Sequence, residues 1–128
     1  MTQEEKELLL KDLCGRLPYR MRFKTEHGYD TLEDIDCFDL LDIRINTGNE
    51  VEYSLDEIKP YLFPLSSMTE EQDKEYFFLC EEYSNYGTMG ILYFNSIKSI
   101  DWFNKNHLDY RNLIDKNLAI DATNLNIY

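Results

Sequence analysis

Two prolines four residues apart constrain this chain more than any other feature. They sit in Ile58-Lys59-Pro60-Tyr61-Leu62-Phe63-Pro64-Leu65-Ser66-Ser67-Met68-Thr69, which carries no charge from Pro60 to Thr69. Each proline fixes φ and removes a backbone donor, so neither a helix nor a central strand is expected to pass through. Tyr61, Leu62 and Phe63 are too apolar for a solvated linker. The segment reads as a buried crossing between a strand-rich half and a helical half. No linker or repeat divides the chain, and its 128 residues suit a single domain with one hydrophobic core.

Before the crossing, Thr2-Gln3-Glu4-Glu5 fits a capping box. Leu9, Leu10, Leu13 and Cys14 share one helical face, opposed by Glu4, Glu7, Lys11 and Asp12. A helix is predicted over about Thr2–Cys14, with Gly15 as its stop and Pro18 forbidding continuation. From Tyr19 to Thr25, Tyr19, Met21 and Phe23 alternate with Arg20, Arg22 and Lys24, the pattern of a half-buried strand with a basic outer face. Glu26-His27-Gly28 makes the turn, and Leu32 and Ile35 break the period of the return segment, which predicts a bulge. Leu41, Ile43 and Ile45 resume the alternation. Asn46-Thr47-Gly48-Asn49 turns the chain toward Val51 and Tyr53, allowing Arg44 to pair with Glu52. Ser54-Leu55-Asp56-Glu57 is a second capping box, limited to about one turn by Pro60.

After the crossing, Thr69-Glu70-Glu71-Gln72 starts a helix whose Tyr76, Leu79, Cys80 and Tyr83 face inward. Ser84 to Gly90 reads as loop and Ile91–Phe94 as a short strand. Ser99 is expected to cap a short helix bearing Trp102 and Phe103. Asp109 is expected to cap another containing Tyr110, Leu113 and Ile114 and ending with Asn117 in the left-handed region. The polar tail from Asp121 reads as loosely held. The fold class is therefore α+β. A small curved antiparallel sheet over about residues 19–54, with an SH3-like partial barrel as one form of it, carries an N-terminal helix and a C-terminal helical half.

A net charge of −12 disfavours direct binding to nucleic acid or to an anionic membrane surface. No apolar run approaches the length of a membrane span and no leader pattern opens the chain. Cys14, Cys37 and Cys80 are too dispersed for a Cys-x-x-Cys pair, so three free thiols in a reducing cytoplasm are expected.

Little of the sequence carries chemistry. Glu26, Asp30, Glu33, Asp34, Asp36, Asp39 and Asp42 are dense in carboxylates but lack the glycine and distal glutamate of a calcium loop. They read as a solvated strand face, some of it opposite Arg20, Arg22 and Lys24. Two histidines and three scattered cysteines make no zinc site, and no phosphate loop or nucleophile elbow is present, so no metal, cofactor or catalytic residue is assigned. His27 falls in a turn. His107 lies in the polar stretch Asn104–Arg111 beside Trp102. Trp102, His107, Asp109, Tyr110 and Arg111 form the candidate binding surface of a non-enzymatic module for another protein, with exposed tyrosines beside them. Two alternatives stand: an acidic mimic of nucleic acid that inhibits a DNA-binding protein, and an enzyme using His107 with a partner acid or with Cys80. Oligomeric state is not specified by the sequence.

Three stretches carry a resemblance: Leu13-Cys14-Gly15-Arg16-Leu17-Pro18-Tyr19, the segment Lys59 to Glu71, and Ser99-Ile100-Asp101-Trp102 with Asn106 to Ile120. Together, over roughly half the chain, they resemble a group of short uncharacterised proteins of anaerobic gut bacteria, their phages and mobile elements. The pattern of that group has glycine where Asn112 and Asn117 stand and a basic residue where Phe63 stands. The resemblance implies a bacterial cytoplasmic or phage-derived accessory protein and brings no activity with it.

Overall fold

Helix α1 (Gln3–Arg16) begins where Thr2 and Glu5 cap each other. Thr2 Oγ1 accepts from the Glu5 amide at 3.1 Å, and the Glu5 carboxylate accepts from the Thr2 amide. In the computed structural model, residues 1–39, 42–48, 50–84, 87 and 98–128 are described. Leu9 and Leu13 are buried as predicted, but Gly15 is no stop, because the helix runs on to Arg16. A Cβ on Gly15 would stand 2.9 Å from Asn104 Nδ2, so the glycine permits a close approach by a later helix. A single 3-10 turn, Leu17–Tyr19, follows, and Arg20 adopts a left-handed φ of 52°.

Strand β1 (Arg22–Thr25) thus starts three residues later than its alternation predicts, with Phe23 and Thr25 buried and Lys24 exposed. It turns through Glu26-His27 into β2 (Gly28–Asp39), and Gly28 takes the expected positive φ, 124°. The predicted irregularity in β2 is present as register shifts between Leu32 and Asp34 and between Cys37 and Asp39. β3 (Asp42–Thr47) and β4 (Glu52–Ser54) extend the sheet, with Arg44 3.8 Å from Glu52 as anticipated. Ser54 and Glu57 form their capping box around one 3-10 turn.

The proline segment corrects the sequence reading. Lys59–Pro64 is a strand, β5, bonded on several sides: antiparallel to β1, and parallel to β6 (Leu108–Asp109) and β7 (Ile120–Asp121). Backbone groups along a strand alternate between its two edges. The Tyr61 carbonyl and the Phe63 amide bond toward one edge, to Tyr128 Oη and the His107 carbonyl, whereas the Leu62 carbonyl accepts from Ala122 on the other. Pro60 and Pro64 share the edge of Leu62. There β7 covers only Tyr61 and Leu62, so the donors the prolines lack have no ladder to serve.

Thr69 and Gln72 cap each other at the start of α2 (Glu70–Ser84), where Tyr76, Leu79 and Cys80 are half-buried and Phe77 and Phe78 are exposed. Ser84, predicted to open a loop, ends α2; the side chain of Tyr83, the predicted strand Ile91–Phe94 and, apart from Gly87, the rest of the loop leading to it lie outside the described residues. In α3 (Ser99–Lys105), Ser99 is the first helical residue and not a cap, its hydroxyl 3.1 Å from that of Tyr76. The helix predicted after Asp109 does not form. Asp109 does bind the Leu113 and Ile114 amides, at 2.8 and 2.9 Å, but residues 110–119 form turns and bends, because Asn112 takes a left-handed φ of 62° inside the predicted helix; Asn117, at 60°, has the left-handed φ expected of it.

The fold is α+β. Seven mostly antiparallel strands run β4-β3-β2-β1-β5-β6, with β7 also on β5, in a sheet that stays open and is not closed into a barrel among the described residues. Leu9 and Leu13 of α1, Phe23, Leu32, Ile45 and Leu62 of the sheet, and Met21 and Leu113 belong to its core.

Candidate functional site at the seam of β1 and β5

Two of the five residues expected at a surface are inside. Trp102 is 6% exposed, donates its Nε1–H to Glu75 at 3.1 Å and packs against Tyr76 and Phe103. Asp109, also 6% exposed, spends both carboxylate oxygens on backbone amides.

Tyr110 and Arg111 belong to a buried charge network that the sequence reading missed. Asp12, expected on the solvated face of α1, is fully buried and takes two bonds from the equally buried Arg16, at 2.7 and 3.1 Å. The i,i+4 spacing of Asp12 and Arg16 is the local signal for that pair. Arg16 also donates to the Leu108 carbonyl at 2.6 Å, and Arg111 Nε lies 3.5 Å from Asp12. The guanidiniums of Arg16 and Arg111 stand 5.3 and 5.1 Å from the Tyr110 ring centroid. This network ties α1 to the Leu108–Arg111 segment.

His107 reaches a cleft. With a left-handed φ of 56°, it stacks on Tyr128, ring centroids 3.8 Å apart. Its Nδ1 has no hydrogen-bond partner among the described residues. Burial, reinforced by the charges of Arg16 and then Arg22, lowers the His107 pKa to about 4, so the ring is neutral at neutral pH. The tail, expected to be loose, is docked. Tyr128 Oη accepts from the Arg22 amide at 2.8 Å and donates to the Tyr61 carbonyl at 2.9 Å. β1 and β5 pair at Lys24–Lys59 and Phe23–Pro60, so Arg22 and Tyr61 are the next positions in register and the phenol bridges them. Its burial raises the Tyr128 pKa to about 12. The Arg22 side chain donates to the Ile127 carbonyl and lies over the Tyr29 and Tyr128 rings.

Tyr19, Arg20, Arg22, Thr31 and Glu33 complete the lining of this cleft, about 290 Å³ in volume. The anticipated pairing of β1 arginines with β2 carboxylates does not occur. The register sets Arg22 opposite Thr31 and Lys24 opposite Tyr29, and no ion pair joins Arg20, Arg22 or Lys24 to a carboxylate among the described residues. A larger hollow of about 630 Å³ lies beside the start of α1, but two of its lysines are satisfied internally, Lys6 by Asp56 and Lys59 by Asn117.

Other chemistry finds little support in the geometry. Burial holds the Cys80 thiol above its ordinary pKa, with Tyr76 as its hydrogen-bond partner, and burial likewise raises Cys14. Among the described residues no cluster of His, Cys, Asp and Glu is placed to hold a metal ion, and no helix is long and apolar enough to cross a membrane. Exposed carboxylates such as Glu4, Asp34, Asp42, Glu52 and Glu70 are divided among α1, β2, β3, β4 and α2. Compared with known proteins, the chain matches no family model, no curated protein and no solved structure.

Proposed function

We propose that this protein is a non-enzymatic interaction module that receives a negatively charged segment of a partner protein in the cleft beside His107. Arg20 and Arg22 carry this reading. In a chain of 25 acidic and 13 basic residues, two arginines line one cleft with a single carboxylate, Glu33, and form no ion pair with it among the described residues. A guanidinium presents a planar fork of donors suited to carboxylate, and at a rim it governs partner choice and association rate more than raw affinity. The neutral His107–Tyr128 pair adds an aromatic wall without adding charge. The resemblance to short phage and bacterial proteins fits an accessory that acts by binding in the cytoplasm.

The test is affinity capture from host lysate at two salt concentrations, with wild type and an Arg20→Gln/Arg22→Gln variant. The expected result is a protein recovered by wild type at low salt, depleted at high salt and lost in the variant. A protein retained equally by the variant, or none recovered at either salt concentration, overturns the assignment.

A further inference from the structure

One wall of the cleft is a side chain from the tail, Tyr128, whose hydroxyl end is seated at the β1–β5 seam. Tyr128 stacks on the His107 ring at 3.8 Å and also meets the Phe63 ring, tilted, at 5.8 Å, measured between centroids. Its hydroxyl meets one donor, the Arg22 amide, and one close acceptor, the Tyr61 carbonyl, both fixed by the strands that carry them. Phenylalanine would fill the same volume but leave both backbone groups unsatisfied.

We propose that the β1–β5 seam is a binding socket for a tyrosyl side chain, filled from within the chain by Tyr128 and open to a tyrosine of the partner protein when the tail swings away. The proposal rests on the reading of this cleft as a protein-binding site and adds the side chain it accepts. The tail is built to exchange. Residues 123–126 are exposed, Asn124 and Asn126 take left-handed φ of 66° and 52°, and after the Leu125 amide bond to Ala122 the chain is held by Arg22 on Ile127 and by Tyr128 itself. Tyr128 keeps 43% of its surface exposed, although its hydroxyl end is inserted. Local release therefore disturbs few buried contacts. While Tyr128 is seated, an incoming tyrosine meets an occupied site, and its apparent affinity falls by the fraction of time the socket is free.

The test titrates the amidated pentapeptide Asn-Leu-Asn-Ile-Tyr, which repeats residues 124–128, into full-length Tyr128→Ala and into wild type, beside the same peptide ending in phenylalanine. The tyrosine peptide is expected to bind Tyr128→Ala at least about tenfold more tightly than wild type, and about tenfold more tightly than the phenylalanine peptide. Absence of binding to a folded Tyr128→Ala protein, equal binding to wild type, or indifference to the hydroxyl overturns the socket. If the alanine variant does not fold, Tyr128→Phe takes its place, and the tyrosine peptide must then bind it more tightly than it binds wild type. The peptide carries no acidic side chain and no terminal carboxylate. Its failure would thus remove the socket alone, whereas undiminished capture by Arg20→Gln/Arg22→Gln would remove the charge reading alone.

Discussion

Tyr128 lies flat on His107, the two ring planes 13° from parallel and their centroids 3.8 Å apart. Both rings are neutral for the same reason, burial, which lowers one pKa to about 4 and raises the other to about 12. Arg16 and Arg22 flank the stack, so a protonated imidazole would be a third cation in a confined space. The contact joins the residue that leads into β6 to the tail, and both rings line the cleft.

Stability is therefore expected to depend on pH through His107. Its folded pKa, about 4, lies below the ordinary value of 6.5, so the unfolded chain takes up the proton first as pH falls. The contribution is fully present above about pH 6.5 and is lost on descending toward pH 4. Denaturant titrations of wild type and His107→Gln across that range isolate it from the many carboxylates. Wild type should lose stability relative to the variant as pH drops, and a constant difference would remove the claim.

The bridge between Arg22 and Tyr61 makes a second prediction. Tyr128→Phe keeps the stack on His107 and deletes the hydroxyl, leaving a strand amide and a carbonyl unpaired at the seam. A loss of about 1–3 kcal/mol is expected in urea unfolding. Amide exchange should quicken at Arg22, and protection equal to wild type there would mean that the two strands close on each other without the phenol.

The Asp12–Arg16 pair should be costly to break and cheap to replace. Asp12→Asn leaves Arg16 buried and Arg111 beside it without a compensating carboxylate, and a loss of about 3–5 kcal/mol is expected. Asp12→Leu with Arg16→Met removes both desolvated charges, and its stability should lie closer to wild type than that of Asp12→Asn. Calorimetry of the three proteins decides this, and a double variant less stable than the single one contradicts it.

What the sequence made legible was local. The capping boxes at Thr2, Ser54 and Thr69, the turn at Gly28 and the left-handed Asn117 each depend on residues within a few positions of one another. What it hid depends on distant partners. The prolines of β5 are tolerable because the two-residue strand at 120–121 leaves their edge mostly free, and a strand that short has no period to read. Tyr128 ends a polar tail whose docking is fixed by Arg22 and Tyr61, far away in sequence. Of the site, His107 was legible as a polar residue in an unusual stretch. Arg20 and Arg22 were visible as a basic strand face, but Arg20 stands before β1 with a left-handed φ, and cross-strand register, which sequence left open, set Arg22 opposite Thr31. Trp102 was drawn inside with Glu75, a partner that alternation and charge could not specify, whereas the cap expected of Asp109 already directed its carboxylate to backbone amides.

Gly15 offers a prediction whose sign depends on background. It lies within α1, where alanine is favoured over glycine by about 1 kcal/mol. The added methyl, however, would stand 2.9 Å from Asn104 Nδ2, and Asn104 is 1% exposed in a packed site. Its side chain has little room to withdraw, so the clash should outweigh the propensity, and Gly15→Ala is expected to destabilise the protein by about 1–2 kcal/mol. Asn104→Ser removes the obstructing amide. In that background Gly15→Ala should stabilise, recovering up to about 1 kcal/mol. A double-mutant cycle by chemical denaturation measures the coupling. If Gly15→Ala has the same effect in both backgrounds, α1 and α3 do not meet at this glycine as closely as the 2.9 Å approach requires.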